Sequence, residues 1–312
     1  MRSLCLIFLL IPPLIPTELH AQEVPLHQAS NEKTGSRAVD KNVFWLVAGI
    51  QAVGYTSALV ALNQAWYKDH PRTSLHFHND MGDWLQTDKM GHINTTYHLN
   101  RLSAGAFRLS GMGRRKTAWM GAASALGFMT VIEMLDGLSA EWGFSVGDQV
   151  ANTIGSASYV AQELLWEEQR FGWKFSFHRT GLARQRPDLF GSSLAEQVIK
   201  DYNGMGFWLS MNIHSFFNHW EGFPAWLNIA AGYGAYGMLG GSENPTHHQG
   251  EELPHLERYR RWFISPDIDF ARIPVKSPFL GGLFASLNFI KFPAPAIEYN
   301  SMHGLSFHLV YF

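Results

Sequence analysis

The sequence predicts an α+β chain dominated by helices, with an N-terminal antiparallel helical bundle and a smaller C-terminal region of short strands and irregular segments. Two observations predict it. Four apolar or helically periodic stretches, joined by short turn-rich connections, fill residues 41–170, the pattern of a bundle. After residue 170 the period becomes two, as in Phe207-Trp-Leu-Ser-Met-Asn-Ile-His214, where apolar and polar residues alternate as half-buried strands require. Charged residues make up only 16% of the 312, so acids and histidines inside the apolar helices need partners.

Taken in order, residues 1–21 read as a secretory signal. Arg2 supplies the positive start, an apolar run extends from Leu4 to Leu14, and Leu19-His20-Ala21 offers a cleavage site. The chain is therefore expected to be exported, to the periplasm or a membrane-associated part of the cell envelope. The single cysteine, Cys5, falls inside this signal and too near the start for a lipobox. A mature chain without thiols excludes disulfides, cysteine–zinc sites and thiol nucleophiles. Residues 22–40 are a polar, non-periodic lead-in. Residues 42–63 carry no charge and are long enough to cross a bilayer. Gln51, Tyr55, Thr56 and Ser57 dilute that run, and a buried core helix fits the same pattern.

A second helix is expected over 88–109 with Asp88 as its N-cap, broken by Gly111-Met-Gly113. A third runs from 114 to about 135 and ends at Gly137. Ser145-x-x-Asp148 has the form of a capping box and opens a fourth, reaching about residue 169. In the region 171–312, extended pieces are expected at 207–214, 226–238, 262–264, 267–270 and 305–312. A short helix is expected over 281–289, stopped by Pro293-Ala-Pro295. The terminal Phe312 and the aromatics before it suit the last strand of an outer-membrane barrel. About 100 residues are nevertheless too few for the many long alternating strands of a usual barrel. A small sheet packed on the bundle is the expectation.

Asp88 and His92 are four apart, as are Asp148 and Asn152, and Gly155 continues the second stripe. On helices each set shares a face. A carboxylate one turn before a histidine orients the imidazole and raises its basicity. Glu133, with Asp136 nearby in the apolar third helix, requires a partner, and Lys89 or His92 can serve. Lys89, at i+1 from Asp88, is expected to point elsewhere, toward an acid at the bundle end or an anionic headgroup. A polar core of Asp88, Lys89, His92, Glu133, Asp136, Asp148, Asn152 and Gly155 follows. Each member also has a plain structural reading: Asp88 and Asp148 as caps, His92 as a bonded core histidine, the Asn152–Gly155 stripe as a packing lock. Were they to converge, Asp88, His92, Glu133 and Asp148 could ligate one divalent metal, although the Glu-x-x-His pairs of di-metal bundles are absent. His76, His78 and Asp80 form a second, weaker metal candidate in a loop.

Other classes drop out. A net charge of −2 makes no electrostatic case for nucleic acid, and no G-x-S-x-G, G-x-G-x-x-G or P-loop occurs. An aromatic content of 14%, with 11 Trp and 22 Phe, suits a large core or a membrane-interface belt. A membrane surface or an envelope component is the expected partner.

The ordered block Asp88-Lys89-x-Gly91-His92, Glu133 and Asp148-x-x-x-Asn152-x-x-Gly155 resembles the YfiM-like family of predicted periplasmic lipoproteins, a domain of unknown function. The preceding His76-Phe-His-Asn-Asp80-x-x-x-Trp84-Leu-Gln86 is similar to the longer members. A looser resemblance joins the block to VanZ-like membrane proteins. The resemblance covers roughly residues 75–170 and departs from the family in the missing lipobox. It implies exported or membrane-associated placement and a helical core, and it carries no reaction with it. The expected function is a non-catalytic envelope role, as a binding or scaffold component with a polar bundle core. The competing expectation is a metal-dependent or acid–base hydrolase acting on envelope lipid or cell-wall material. There His92 would be the general base, Asp88 its orienting partner, and Glu133 with Asp148 the ligands or acid. An enzyme needs an open cleft reaching these groups, whereas a structural network can be sealed.

Overall fold

The computed structural model describes residues 38–312 apart from 69, 218, 219 and 221. The expected signal of residues 1–21, Cys5 and the lead-in up to residue 37 lie outside the described residues. Helix α1 (Lys41–Leu62) is capped by Asp40, whose carboxylate accepts from the backbone N–H groups of Asn42 and Val43. A single π turn (Asn63–Tyr67) extends it. Three further long helices follow: α2 (Thr87–Arg108), α3 (Arg114–Gly137) and α4 (Val146–Leu165).

Helix α2 is central, packing on α3 along one side and α4 along the other. Nearly every residue from Thr87 to Asn100 is buried. Close approach depends on two glycines. A Cβ on Gly155 of α4 would lie 2.2 Å from the Ile93 carbonyl oxygen, and one on Gly121 of α3 would lie 2.6 Å from that of Asn100. Helix α1 touches this group through Tyr55 and Gln51, which bond to the hydroxyls of Ser103 and Ser124. Phe44 against Phe107 and the buried Val47 and Leu62 add to that contact, whereas Trp45, Leu46, Ile50, Val53 and Val60 on the rest of α1 are all more than half exposed. By length and composition α1 and α3 could each cross a membrane.

Two boundaries differ from the sequence expectation. Helix α2 starts at Thr87 with Gln86 in the N-cap position, so Asp88 lies inside the first turn. The preceding Trp84, Leu85 and Gln86 all have positive φ, a left-handed turn that tertiary contacts hold. Trp84 stacks on Tyr202 at 4.8 Å, and the Tyr233 hydroxyl donates to the Leu85 carbonyl. Helix α4 stops at Leu165 because Gln169 turns back to bond Tyr159, Gln162 and Glu163.

Strands β1 (Phe77–His78) and β2 (Phe144–Ser145) form a short parallel pair that ties the loop before α2 to the start of α4. Beyond residue 170 come β3 (Phe171–Phe177), the short helices α5 (Pro187–Phe190) and α6 (Leu194–Lys200), β4 (Met205–Asn212) and β5 (Leu227–Tyr236). A small hairpin, β6 (His247–His248) with β7 (Glu251–Glu252), precedes β8 (Tyr259–Ile268), α7 (Pro278–Leu287), β9 (Ala294–Asn300) and β10 (Gly304–Tyr311). The six long strands make one antiparallel sheet in the order β10-β9-β8-β5-β4-β3. The chain is thus a mixed helix and sheet protein. Its second half is more regular than expected, with strands of 7 to 10 residues in place of short pieces. Ser265-Pro266 does not interrupt β8, and Pro295, taken as a stop, sits in β9 beside a register irregularity facing β10, where a missing donor is tolerated.

Register defines two faces. Phe175, Phe207, Tyr233, Trp262, Tyr299 and Leu305 are paired neighbours on one face, and Lys174, Trp208, Phe263 and Glu298 lie on the other. The first face packs on the helical half along β3 and β4, where Phe175, Phe177, Met205 and Phe207 join Trp84, Phe190 and Tyr202. Along β8, β9 and β10 the same face is bare: Ile264 is 58% exposed, Phe307 65% and Leu309 78%. The second face holds buried charge pairs, Lys174 with Asp267 at 2.8 Å and Arg261 with Glu298 at 2.6 Å. The sheet curls around them, bringing Tyr311 of β10 onto Trp208, Phe263 and His178.

Candidate functional site

The loop from β1, the first two turns of α2, the end of α3 and the start of α4 meet in a buried polar cluster. Lys89 is its centre. Its ammonium lies 2.8 Å from Asp80, 2.9 Å from Asp88 and 2.8 Å from Asp148. Lys89 thus meets acids at the bundle end as expected, but it does not point away from Asp88: its four-carbon stem is long enough to fold back along the open first turn. Asp80, grouped by sequence with His76 and His78, joins the cluster instead. The Ser145 hydroxyl donates to Asp80 at 2.5 Å while accepting from the Asp148 N–H at 2.9 Å. One serine therefore caps α4 and binds an acid from another element.

One turn on, His92 Nδ1 lies 3.1 Å from Asn152 Oδ1, which also accepts from the Thr96 hydroxyl at 2.9 Å. With the amide in this orientation His92 donates from Nδ1, and its Nε2 lone pair lies 3.6 Å from Asp148 Oδ1. Glu133 Oε2 accepts from the Ser145 N–H at 3.4 Å, and Oε1 makes no hydrogen bond, 3.7 Å from His92 Nδ1. Gly155, one turn past Asn152, is where α2 and α4 come closest. Asp136 is close by but bonded outside the cluster, to the Tyr67 hydroxyl at 2.7 Å.

Three carboxyl groups thus surround one ammonium in a dry site, with Glu133 beside His92, and the protonation equilibria respond. Burial works against the charged lysine, yet the Asp88 and Asp148 charges outweigh it and hold Lys89 well above its ordinary value. Burial pushes Asp88 up to about 6 against the pull of Lys89, and Asp136 up to about 7 against the Tyr67 hydrogen bond. Burial likewise raises Glu133 and Asp148, with neighbouring acids adding to the rise in Glu133. His92 is pushed down to about 4, chiefly by burial, so the imidazole is neutral and has a free lone pair.

The cluster is closed to solvent. Glu133 and Asp148 are 0% exposed, Asp88 2% and His92 6%. A groove of about 660 Å³ runs along the surface beside it, lined mostly by apolar residues such as Phe77, Met81, Val146, Val150 and Ile154, with Lys89 reaching its wall. The remaining loop histidines stay apart. His76 Nε2 lies 2.7 Å from the Trp142 carbonyl oxygen, and His78 lies between that groove and a small cavity it lines with His70, Asp83 and Glu141. Among the described residues, His76, His78 and Asp80 do not gather closely enough to share one ion. Sequence reasoning found Ser145 as a cap but not as a partner of Asp80, and it missed Thr96 and Tyr67. The hydroxyls of Thr96 and Tyr67 carry no spacing signal that separates them from ordinary helix residues.

Residues 77–163 match the family described as Predicted periplasmic lipoprotein (DUF2279). That span runs from β1 into α4 and contains every residue of the cluster, so the part of the chain that is similar to this family is the part that builds the site. The match assigns an exported, periplasmic or membrane-associated envelope location, with no established reaction. No curated protein and no solved structure matches the chain.

Proposed function

We propose that this protein is a non-catalytic binding or scaffold component of the cell envelope, seated on a membrane face, with an antiparallel helical bundle over residues 41–170 whose polar core locks its packing. One observation carries this reading: large apolar surface stands exposed while several charged groups are enclosed. The enclosed charges are those of the Lys89 cluster and of the Lys174–Asp267 and Arg261–Glu298 pairs. Large apolar side chains face outward along α1 and along β8 to β10. Exposed apolar surface on this scale is unfavourable in water and stable against lipid. The sealing of His92, Glu133 and Asp148 supports the scaffold reading over the hydrolase, because a general base must reach its substrate. The finer likeness to YfiM-like and VanZ-like proteins, carried by the Asp88 to Gly155 block, belongs to the same proposal.

Flotation on a density gradient tests the membrane seat. The purified full chain should float with vesicles of phosphatidylethanolamine and phosphatidylglycerol, and Phe307→Glu/Leu309→Glu should float less. A chain that is monodisperse without detergent and stays at the bottom of the gradient with vesicles present would rule out a membrane seat.

A further inference from the structure

Two triads of ligating groups share Asp148. In each, one ligand atom per residue lies within 4.8 Å of the others: Asp80, Asp88 and Asp148 in the first, His92, Glu133 and Asp148 in the second. The first already holds a cation, the Lys89 ammonium, at 2.8 to 2.9 Å from all three carboxylates. The second has no cation of its own: Lys89 reaches only the shared Asp148 Oδ1, and among the described residues no lysine or arginine nitrogen pairs with Glu133, whose ion-pair neighbour is the His92 ring.

We propose that His92, Glu133 and Asp148 hold one divalent cation, of the zinc or manganese class. Glu133 Oε1 is fully buried, makes no hydrogen bond and lies 3.7 Å from the Nδ1 edge of the His92 ring. A buried carboxylate oxygen left in this way costs stability unless a positive centre meets it. His92 presents a second unmet contact. With Nδ1 donating to Asn152, its Nε2 lone pair faces Asp148 Oδ1 at 3.6 Å, too far for a hydrogen bond and lone pair against lone pair. A cation between the two atoms turns both into ligands. The Thr96–Asn152–His92 chain is the outer support that ligating histidines use, one ring nitrogen donating to a carbonyl oxygen while the other binds. Size agrees as well. Ligand atoms around one ion at about 2.1 Å lie about 3–4 Å apart, so a triad within 4.8 Å closes with small side-chain shifts. One imidazole nitrogen, two carboxylates and no thiol select a borderline or hard ion.

The proposal goes beyond the membrane seat and is read separately from flotation. The full chain is purified in detergent, its metal measured by mass spectrometry, and stripped with EDTA. ZnCl2 or MnCl2 is then returned while thermal unfolding is followed, for the wild type, Glu133→Gln and His78→Ala. The expected result is about one equivalent of metal and a rise in Tm on its return, both lost in Glu133→Gln and both kept in His78→Ala. Should Glu133→Gln fail to fold, Asn152→Ala takes its place and is expected to bind about 10–100-fold more weakly. Wild-type protein that neither carries metal nor gains Tm from either salt would overturn the proposal and leave the cluster as a proton-sharing network. Metal retained at full affinity in Glu133→Gln, or lost in His78→Ala, would overturn it equally by placing the ion elsewhere.

Discussion

Lys89 shows how far one side chain can depart from its sequence context. It is one residue from Asp88, yet its ammonium is the positive centre for acids from a loop, its own helix and α4. Removing one member of a buried ionic set leaves the others uncompensated. Lys89→Met is therefore expected to cost roughly 3–5 kcal/mol in chemical denaturation. The double variant Lys89→Met/Asp148→Asn should recover part of that loss, and purely additive losses would show that the two groups do not interact. Glu298 is the counterpart in the sheet. Burial works to raise its carboxyl, but the hydrogen bonds and charge of Arg261 prevail and hold it at about 2. A depressed carboxyl contributes stability that is present above the unfolded value, 4.5, and lost as pH falls toward 2. Stability of the wild type should fall across that window, and Glu298→Gln should flatten the fall. Equal slopes in the two proteins would remove Glu298 from the acid response.

At the scale of elements, the helical half depends on how closely α2 can be approached. The Gly155 contact with the Ile93 carbonyl leaves no room for a methyl group. Gly155→Ala must separate α4 from α2 and is expected to destabilise by about 1–3 kcal/mol, the usual range for overpacking. Gly127 of α3 has nothing within 4 Å of the same methyl position. Gly127→Ala should therefore stabilise by up to about 1 kcal/mol through helix propensity. Thermal unfolding of the two variants side by side distinguishes a packing glycine from a neutral one, and shifts of the same sign would contradict the close approach. In the sheet, the continuity of β8 and β9 through proline comes from their neighbours. Pro266 keeps its partner Ile229 on β5, and the β8–β9 ladder runs only over Arg261–Ile264 and Ile297–Asn300, so both prolines lie outside the stretch where those two strands pair.

Across the whole molecule, two halves built on different periods share one feature: each encloses some charged groups and leaves an apolar surface bare. In the helical half the bare surface belongs to α1 and to parts of α3 and α4, including Trp119, Val150 and Ile154. In the sheet half it belongs to the strands farthest from the helices. The family match ends at residue 163, so the sheet and its bare face lie beyond the part of the chain that is similar to that family. The vesicle measurement reads both surfaces together, and the Phe307→Glu/Leu309→Glu pair assigns the sheet's share.

Much of the helical half was legible in advance because helices are local. The Gly111-Met-Gly113 break, the end of α3 at Gly137 and the Ser145 cap follow from residue types a few positions apart. The i, i+4 spacing of Asp88 with His92 and of Asp148 with Asn152 likewise determined which residues share a helix face. It left open which faces meet. That Asp80 leaves its histidines for Lys89, that Ser145 bonds the Asp80 and Glu133 carboxyl groups, and that Glu133 lies against His92 are consequences of packing between segments up to 65 positions apart. The sheet was less legible for the same reason. Strand pairing is a contact between distant segments, and its local signal is weakened by the glycines of β5 and the prolines of β8 and β9. The alternation along single strands was visible in the sequence, but only the tertiary structure decided which side of each strand was buried, because that depends on how the sheet curls and where the helices cover it.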